Sequence, residues 1–292
     1  MGFGYRHAAI IAPAGLLNPD VLAAGVKFLL GQGLEVSVMP HVNAGAPEKY
    51  LSAPLEQRLE DLHAAWRDPE IDLIVCARGG FGSMQLLPSI DWDLLRSRAV
   101  PVLGLSDITA LHLAMLKNGV GTPVSSAMMA GMAKINDFML RSLFFALSPD
   151  GTEFELPAPL LKEGSDFTAL PRALNLSMVA ALCGTPYMPD LSGSFLVLED
   201  LNEPPYRIER CLTQLRQCGI LEQCAGLAFG QFTDCGAPDE MELIYRKYAA
   251  CVNGPVWTGF PFGHEQGIAA LNWSVPVRHR GGRLTAVHRP QE

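Results

Sequence analysis

The sequence predicts an α/β protein in two parts: a flavodoxin-like parallel-sheet N-terminal domain over residues 1–150 and a smaller, β-rich α+β C-terminal domain over 173–292. Three observations lead there. Strand, helix and strand over residues 7–39 have the spacing of a βαβ unit, which builds a parallel sheet covered on both faces. Short buried apolar runs then recur, each ending in a glycine or serine turn before the pattern changes to a helical period. Finally, Ser148-Pro149-Asp150-Gly151 opens about twenty residues rich in Pro, Gly and acidic side chains, read as a linker over 151–172.

In chain order, the apolar strand 7–12 turns at Ala12-Pro13-Ala14-Gly15 into a helix over 18–31, with Val21, Ala24, Phe28 and Leu29 on its apolar side. A strand follows over 34–39. An amphipathic helix over 54–67 carries Leu55, Leu59, Leu62 and Trp66 and is closed by Asp68-Pro69. The strand 71–76 runs into Ala77-Arg78-Gly79-Gly80-Phe81-Gly82-Ser83. Glycines straight after a buried strand let backbone N–H groups approach a ligand, although the same cluster also suits a plain tight turn before a helix. Ligands on open α/β sheets bind beyond the carboxyl ends of the strands, which favours the first reading.

The next strand, beginning at Val100-Pro101-Val102-Leu103, ends in Gly104-Leu105-Ser106-Asp107, after which Ile108, Leu111, Ala114 and Met115 mark one helical face. A serine on a sharp strand-to-helix turn suits a nucleophile, because the free N–H groups of the helix point at charge developing beside it. It equally suits an N-cap, and the second glycine of G-x-S-x-G is lacking. A helix over 137–147 completes the first part.

In the second part, Asn175-Leu176-Ser177-Met178 opens a short helix, and the buried strand from Phe195 ends in Glu199-Asp200-Leu201-Asn202-Glu203 before a helix entered through Pro204-Pro205. Carboxylates at a strand end belong to solvent or a site. Alternation sends Glu199 and Asp200 to opposite faces. A strand over 225–231 and a helix over 240–251 follow, then a strand over 256–264 ending in Gly263-His264 and hairpins from Trp273.

Composition narrows the function. A chain of 292 residues with 49% hydrophobic and 18% charged content has a substantial core and is not disordered. A net charge of −8 without a basic cluster excludes a nucleic-acid partner. With no signal sequence and no run of about eighteen apolar residues, the expected location is the cytoplasm and no membrane is involved. The seven cysteines show no C-x-x-C pair, so no metal is expected and the thiols are read as reduced. The glycine turn lacks G-x-G-x-x-G spacing and follows the third strand, which argues against a dinucleotide, and no cofactor is expected.

Taken together, Ala77-Arg78-Gly79-Gly80-Phe81-Gly82-Ser83, Gly104-Leu105-Ser106-Asp107-Ile108-Thr109, Asn175-Leu176-Ser177, Leu198-Glu199-Asp200 with Pro205-Tyr206-Arg207-Ile208, and Pro261-Phe262-Gly263-His264 resemble the LD-carboxypeptidases, serine peptidases that include murein tetrapeptide carboxypeptidases and microcin-immunity proteins. The resemblance implies a Ser106-Glu199-His264 triad and an oxyanion hole from the backbone N–H groups of Gly80 and Asp107. It also implies a small peptide substrate, the murein tetrapeptide, and a homodimer. A microcin-like peptidyl-nucleotide and a non-enzymatic small-ligand-binding protein are the rival readings. Six other histidines compete with His264: His7, His41, His63, His112, His279 and His288. Two departures stand out, Ala173-Leu174 in place of Gly-Gly and Ser125-Ser126-Ala127 in place of His-Gly-Pro, and both are expected to touch the substrate cleft. Arg78, Arg207 and Arg210 are candidate partners for substrate carboxylates.

Overall fold

A computed structural model describes residues 3–148 and 152–288. The five parallel strands of the first sheet lie in the order Glu35–Val38, His7–Ile11, Leu73–Cys76, Pro101–Gly104, Thr122–Ser125. That is the doubly wound arrangement whose direction reverses beside the first strand, leaving a crevice at the strands' carboxyl ends. The connecting helices start where the chemistry allows. Asn18 accepts a hydrogen bond from the Asp20 N–H at 2.8 Å ahead of Pro19–Gly31, with proline in the first turn, where its missing N–H costs nothing. The helix Ile108–Asn118 ends at Gly119 in the left-handed conformation (φ 63°).

The second sheet is also largely parallel: Val256–Trp257, Gly226–Thr233, Phe195–Leu201 and Pro171–Asn175 run together, with Leu160–Lys162 antiparallel on the outer edge. Helices Leu176–Leu182, Pro205–Gln217 and Pro238–Ala249 connect its strands. A small antiparallel sheet joins Glu153–Glu155, Arg283–Val287, Val277–Arg280 and Phe167–Ala169. Among the described residues, no helix is long and apolar enough to cross a membrane.

The linker stretch over 151–172, read as short extended pieces without a long helix, contributes three short strands to the second and third sheets, where its apolar residues find unpaired edges. The boundary placed at residue 150 lies outside the described residues. One expectation needs correction: the strand expected over 256–264 stops at Trp257, since Gly259 takes φ 60° and Pro261 has no N–H to give a ladder.

The two halves share one apolar core, in which Ile108 and Leu111 belong with Leu174, Leu198 and Trp257. Ser125 is the polar tie at this junction. Its Oγ donates to the Ala173 carbonyl at 2.7 Å and accepts from Trp273 Nε1 at 2.8 Å, all buried. The Leu271–Asn272 strand returns from the far end of the chain to pair antiparallel with Val124 and Ser125. Ser125→Ala leaves both groups unpaired and should cost about 2 kcal/mol of stability, measured by chemical denaturation.

Candidate active site

The serine turn is built tightly. Any side chain at Gly104 would have a Cβ 2.2 Å from Ile108 Cγ2, so glycine is what lets the helix fold back on its strand. Ser106 itself has φ 63°, a left-handed conformation costly for a residue with a Cβ and typical of constrained sites. It does not cap the helix: the cap position is Asp107, and neither side chain makes a capping bond. Among the described residues, Ser106 Oγ has no hydrogen-bond partner.

Beneath the serine, the glycine turn is clamped from two sides. Asp107 Oδ2 accepts from the Ser83 N–H at 2.8 Å, and Ser83 Oγ donates to the Asp107 carbonyl at 2.6 Å. Burial raises the Asp107 carboxyl pKa, and the N–H groups of Ser83 and Gly82 and the charge of Arg58 pull against that rise. Arg58, only 2% exposed, donates to the carbonyls of Ala53, Pro13 and Gly82 and to Gln85 Oε1, all within 2.9 Å. Gly15 N–H donates to the Gly79 carbonyl at 3.1 Å. Because a trans peptide opposes its C=O and N–H, the Gly80 N–H points away from Gly15. Among the described residues, neither that N–H nor the one of Asp107 meets a protein acceptor. Gly79 packs directly on the serine: a Cβ there would sit 2.8 Å from Ser106 Cβ and 3.2 Å from the Asp107 nitrogen.

Across from this turn stands an acid–histidine pair. Glu199, fully buried on the strand Phe195–Leu201, accepts from His264 Nδ1 at 2.7 Å, which leaves Nε2 as the free acceptor. Asn175 Nδ2 donates both to Glu199 Oε1 (3.2 Å) and to Asp200 Oδ1 (3.0 Å), while Asp200 Oδ2 takes the Ser177 N–H at 2.9 Å and its hydroxyl. Strict alternation would have separated Glu199 from Asp200. A register shift between Leu198 and Asp200 relaxes it, and both carboxylates reach Asn175. Two glycines let the histidine loop close: a Cβ on Gly230 would lie 2.4 Å from the Phe262 carbonyl oxygen, and one on Gly263 2.6 Å from Gln231 Cβ. Burial alone would lower the His264 pKa, but the hydrogen bond and charge of Glu199 outweigh it and raise the pKa above its ordinary value. Burial pushes the Glu199 carboxyl up, and His264 pulls it back.

A cavity of about 570 Å³ between the halves is lined by Arg78, Gly79, Gly80, Ser106, Lys134 and His264 among others. Glu199 lies behind His264, and Asp107 beneath Ser106. Among the described residues, no hydrogen bond joins Ser106 Oγ to His264. His112 is excluded: it is buried, bonds the Val102 carbonyl at 3.0 Å, and burial lowers its pKa to about 4. Of the two departures, only Ala127 reaches the cavity, while Ser125 and Ala173 hold the junction. Arg207 pairs with Glu203 and Arg210 lies over Tyr206, so of the three candidate arginines only Arg78 lines the cavity. Arg58 was detectable in the sequence as a charge among Leu55, Leu59 and Leu62 on an apolar helix side. Lys134 carried no such signal.

A parallel sheet presenting a serine turn, set against a second sheet presenting a buried acid–histidine pair, is the layout of a two-domain hydrolase. Residues 8–124 match the model of the LD-carboxypeptidase N-terminal domain, and residues 174–278 match that of the C-terminal domain. The murein tetrapeptide carboxypeptidase of Pseudomonas aeruginosa is 34% identical, with 95% of this chain and 94% of that protein covered. The crystal structure of muramoyltetrapeptide carboxypeptidase from Oxalobacter formigenes superposes with a TM-score of 0.84 at 27% identity, covering 96% of this chain and 97% of that one. MccF in complex with glutamyl sulfamoyl guanosine shares the fold at TM-score 0.86 and 16% identity, over 100% of this chain and 98% of that one. The chain belongs to the LD-carboxypeptidase family of serine peptidases.

The packing of Gly79 on the serine gives a direct check. Gly79→Ala should leave the fold intact by circular dichroism and shift Ser106, so a hydrolytic activity that depends on the Ser106 hydroxyl should lose roughly 100-fold in kcat, the cost of displacing a reacting group by about an ångström.

Proposed function

We propose that the chain is a serine LD-carboxypeptidase that removes the terminal D-alanine from the L-centre, diaminopimelate or lysine, of murein tetrapeptide during peptidoglycan recycling in the cytoplasm. The observation that carries this reading is His264, held by the buried Glu199, lining the same cavity as Ser106 on its strained turn. The end-to-end similarity to the Pseudomonas aeruginosa murein tetrapeptide carboxypeptidase supports the substrate. The seven free cysteines fit a reducing compartment.

In this reading Ser106 Oγ attacks the carbonyl carbon of the scissile amide while His264 Nε2 takes its proton. Glu199 fixes the tautomer through Nδ1 and stabilises the imidazolium. The oxyanion collects the N–H groups of Gly80 and Asp107, donors worth roughly 3–4 kcal/mol each in comparable sites. As the intermediate collapses, the imidazolium gives its proton to the departing amine of D-alanine. Water then attacks the acyl-serine ester, with His264 again as base, and the shortened peptide leaves with a new carboxylate. The proton taken from serine leaves on the amine, the one taken from water passes through His264 back to Ser106 Oγ, and the cycle needs no cofactor.

The test is D-alanine release from UDP-MurNAc-tetrapeptide. Ser106→Ala should lower kcat by roughly 10⁶-fold, and full release by this variant would refute the mechanism. Faster turnover of a peptidyl-nucleotide than of the tetrapeptide would instead favour a microcin-type substrate.

The pH profile tests the base. His264 must be neutral to accept a proton, so kcat/KM should fall as pH drops through its raised pKa. Glu199→Gln removes the charge that raises it, so the acidic limb should move to lower pH while the rate falls about 10⁴-fold.

A further inference from the structure

Peptide carboxylates entering this cavity need cations, and among the described residues lining it only Arg78 and Lys134 supply a fixed positive charge. The two stand in different places. Arg78 precedes the glycine turn, and its Nη1 donates to the Leu16 carbonyl at 2.8 Å, which ties the guanidinium to the loop after the first strand. Lys134 follows the short helix Met129–Met132 and makes no hydrogen bond or ion pair through its ammonium among the described residues. The segment just beyond it packs on the loop that carries His264. The Gly267 N–H donates to Met139 Sδ at 3.3 Å, and a Cβ on Gly267 would lie 3.9 Å from Asn136 Nδ2.

That placement sorts the two cations by side of the scissile bond. A departing amine must lie against the histidine that protonates it, so the leaving residue occupies the His264 side. Its free carboxylate sits two bonds from that nitrogen, close to Glu265, which also lines the cavity. Glu265 Oε1 accepts from Thr233 Oγ1 at 3.2 Å, which sets a carboxylate in the residue following His264. A carboxylate cannot settle there without a compensating cation, and Lys134 is the free one on that side.

We propose that the cations divide the substrate's carboxylates: Lys134 holds the terminal carboxylate of the leaving residue and so enforces carboxypeptidase rather than endopeptidase action, while Arg78 holds a side-chain carboxylate on the acyl residue. The assignment rests on the carboxypeptidase reading above. A point-charge ammonium suits a small mobile carboxylate, and a guanidinium already anchored through one N–H presents its remaining donors in a fixed fork.

Three substrates separate the roles: tetrapeptides ending in lysyl-D-alanine, in diaminopimelyl-D-alanine, and in lysyl-D-alaninamide. Lys134→Ala should lower the acid-over-amide ratio of kcat/KM at least about tenfold while changing the diaminopimelate-over-lysine ratio less than about twofold, with Lys134→Arg restoring most of the loss. Arg78→Ala should do the reverse. An equal loss on acid and amide for Lys134→Ala, or acid–amide discrimination residing in Arg78, overturns the assignment. Unfolding midpoints within a degree or so of wild type guard against misfolding. Wild-type protein that releases D-alanine from no tetrapeptide refutes the functional reading itself, an outcome distinct from wild-type release with unaltered ratios in both variants.

Discussion

Burying the Glu199 carboxylate is the constraint around which the second half of the chain is arranged. A lone carboxylate without solvent is costly, so every neighbouring element has to supply a donor or give way. His264 supplies one from a loop reached only because Gly230 and Gly263 lack side chains, and Asn175 supplies another from the adjacent strand. Asp200, next in sequence, adds a second buried acid, and the N–H of Ser177 answers it. Asn175 also donates its backbone N–H to Thr109 Oγ1 at 3.0 Å, on the helix that follows Ser106. One residue thus links the acid of the second sheet to the serine helix of the first.

On the serine side the problem is strain, and the answer is over-determination. The left-handed backbone at Ser106 persists because Gly79 packs against it, Ser83 grips both ends of Asp107, and Arg58 gathers three carbonyls below. Ser83 and Arg58 do not line the cavity, yet together with Gly79 they set where the hydroxyl and the two unpartnered N–H groups stand. Rigid support of this kind is what electrostatic stabilisation of an oxyanion requires, since donors that must reorient lose their advantage.

Much of this was legible in the sequence, for physical reasons that can be named. Buried parallel strands leave continuous apolar runs, and helices of the first domain announce themselves through Asn18 and Gly119, so its order of elements could be read directly. Ser106 stood out on its strand-to-helix turn, whereas Glu199 was preferred to Asp200 and Glu203, and His264 to six other histidines, only through the resemblance to the family, because position alone does not tell which carboxylate or imidazole faces a serine. Less legible was anything depending on pairing at a distance. The short extended pieces of 153–169 could be read but their pairing could not, because their partners lie more than ninety residues away, and the Gly263-His264 stretch looked like a strand because alternation cannot reveal where a ladder ends. Arg58 was visible as an anomaly on an apolar face, but its role depends on three loops that meet only in the fold. Lys134 lies in a segment without pattern, and only the cavity identifies it.

The short strand Leu271–Asn272 has a consequence for how the protein comes into being. It closes the edge of a sheet whose other strands are complete by residue 125, and Trp273 beside it satisfies Ser125 at the junction of the halves. A nascent chain therefore carries the serine turn with that sheet edge open until Leu271 and Asn272 have been made. The proposed base His264 is made only after that edge has stayed open for more than a hundred residues, so the half-made form, without its proposed base, is the one most in need of protection from edge-to-edge association.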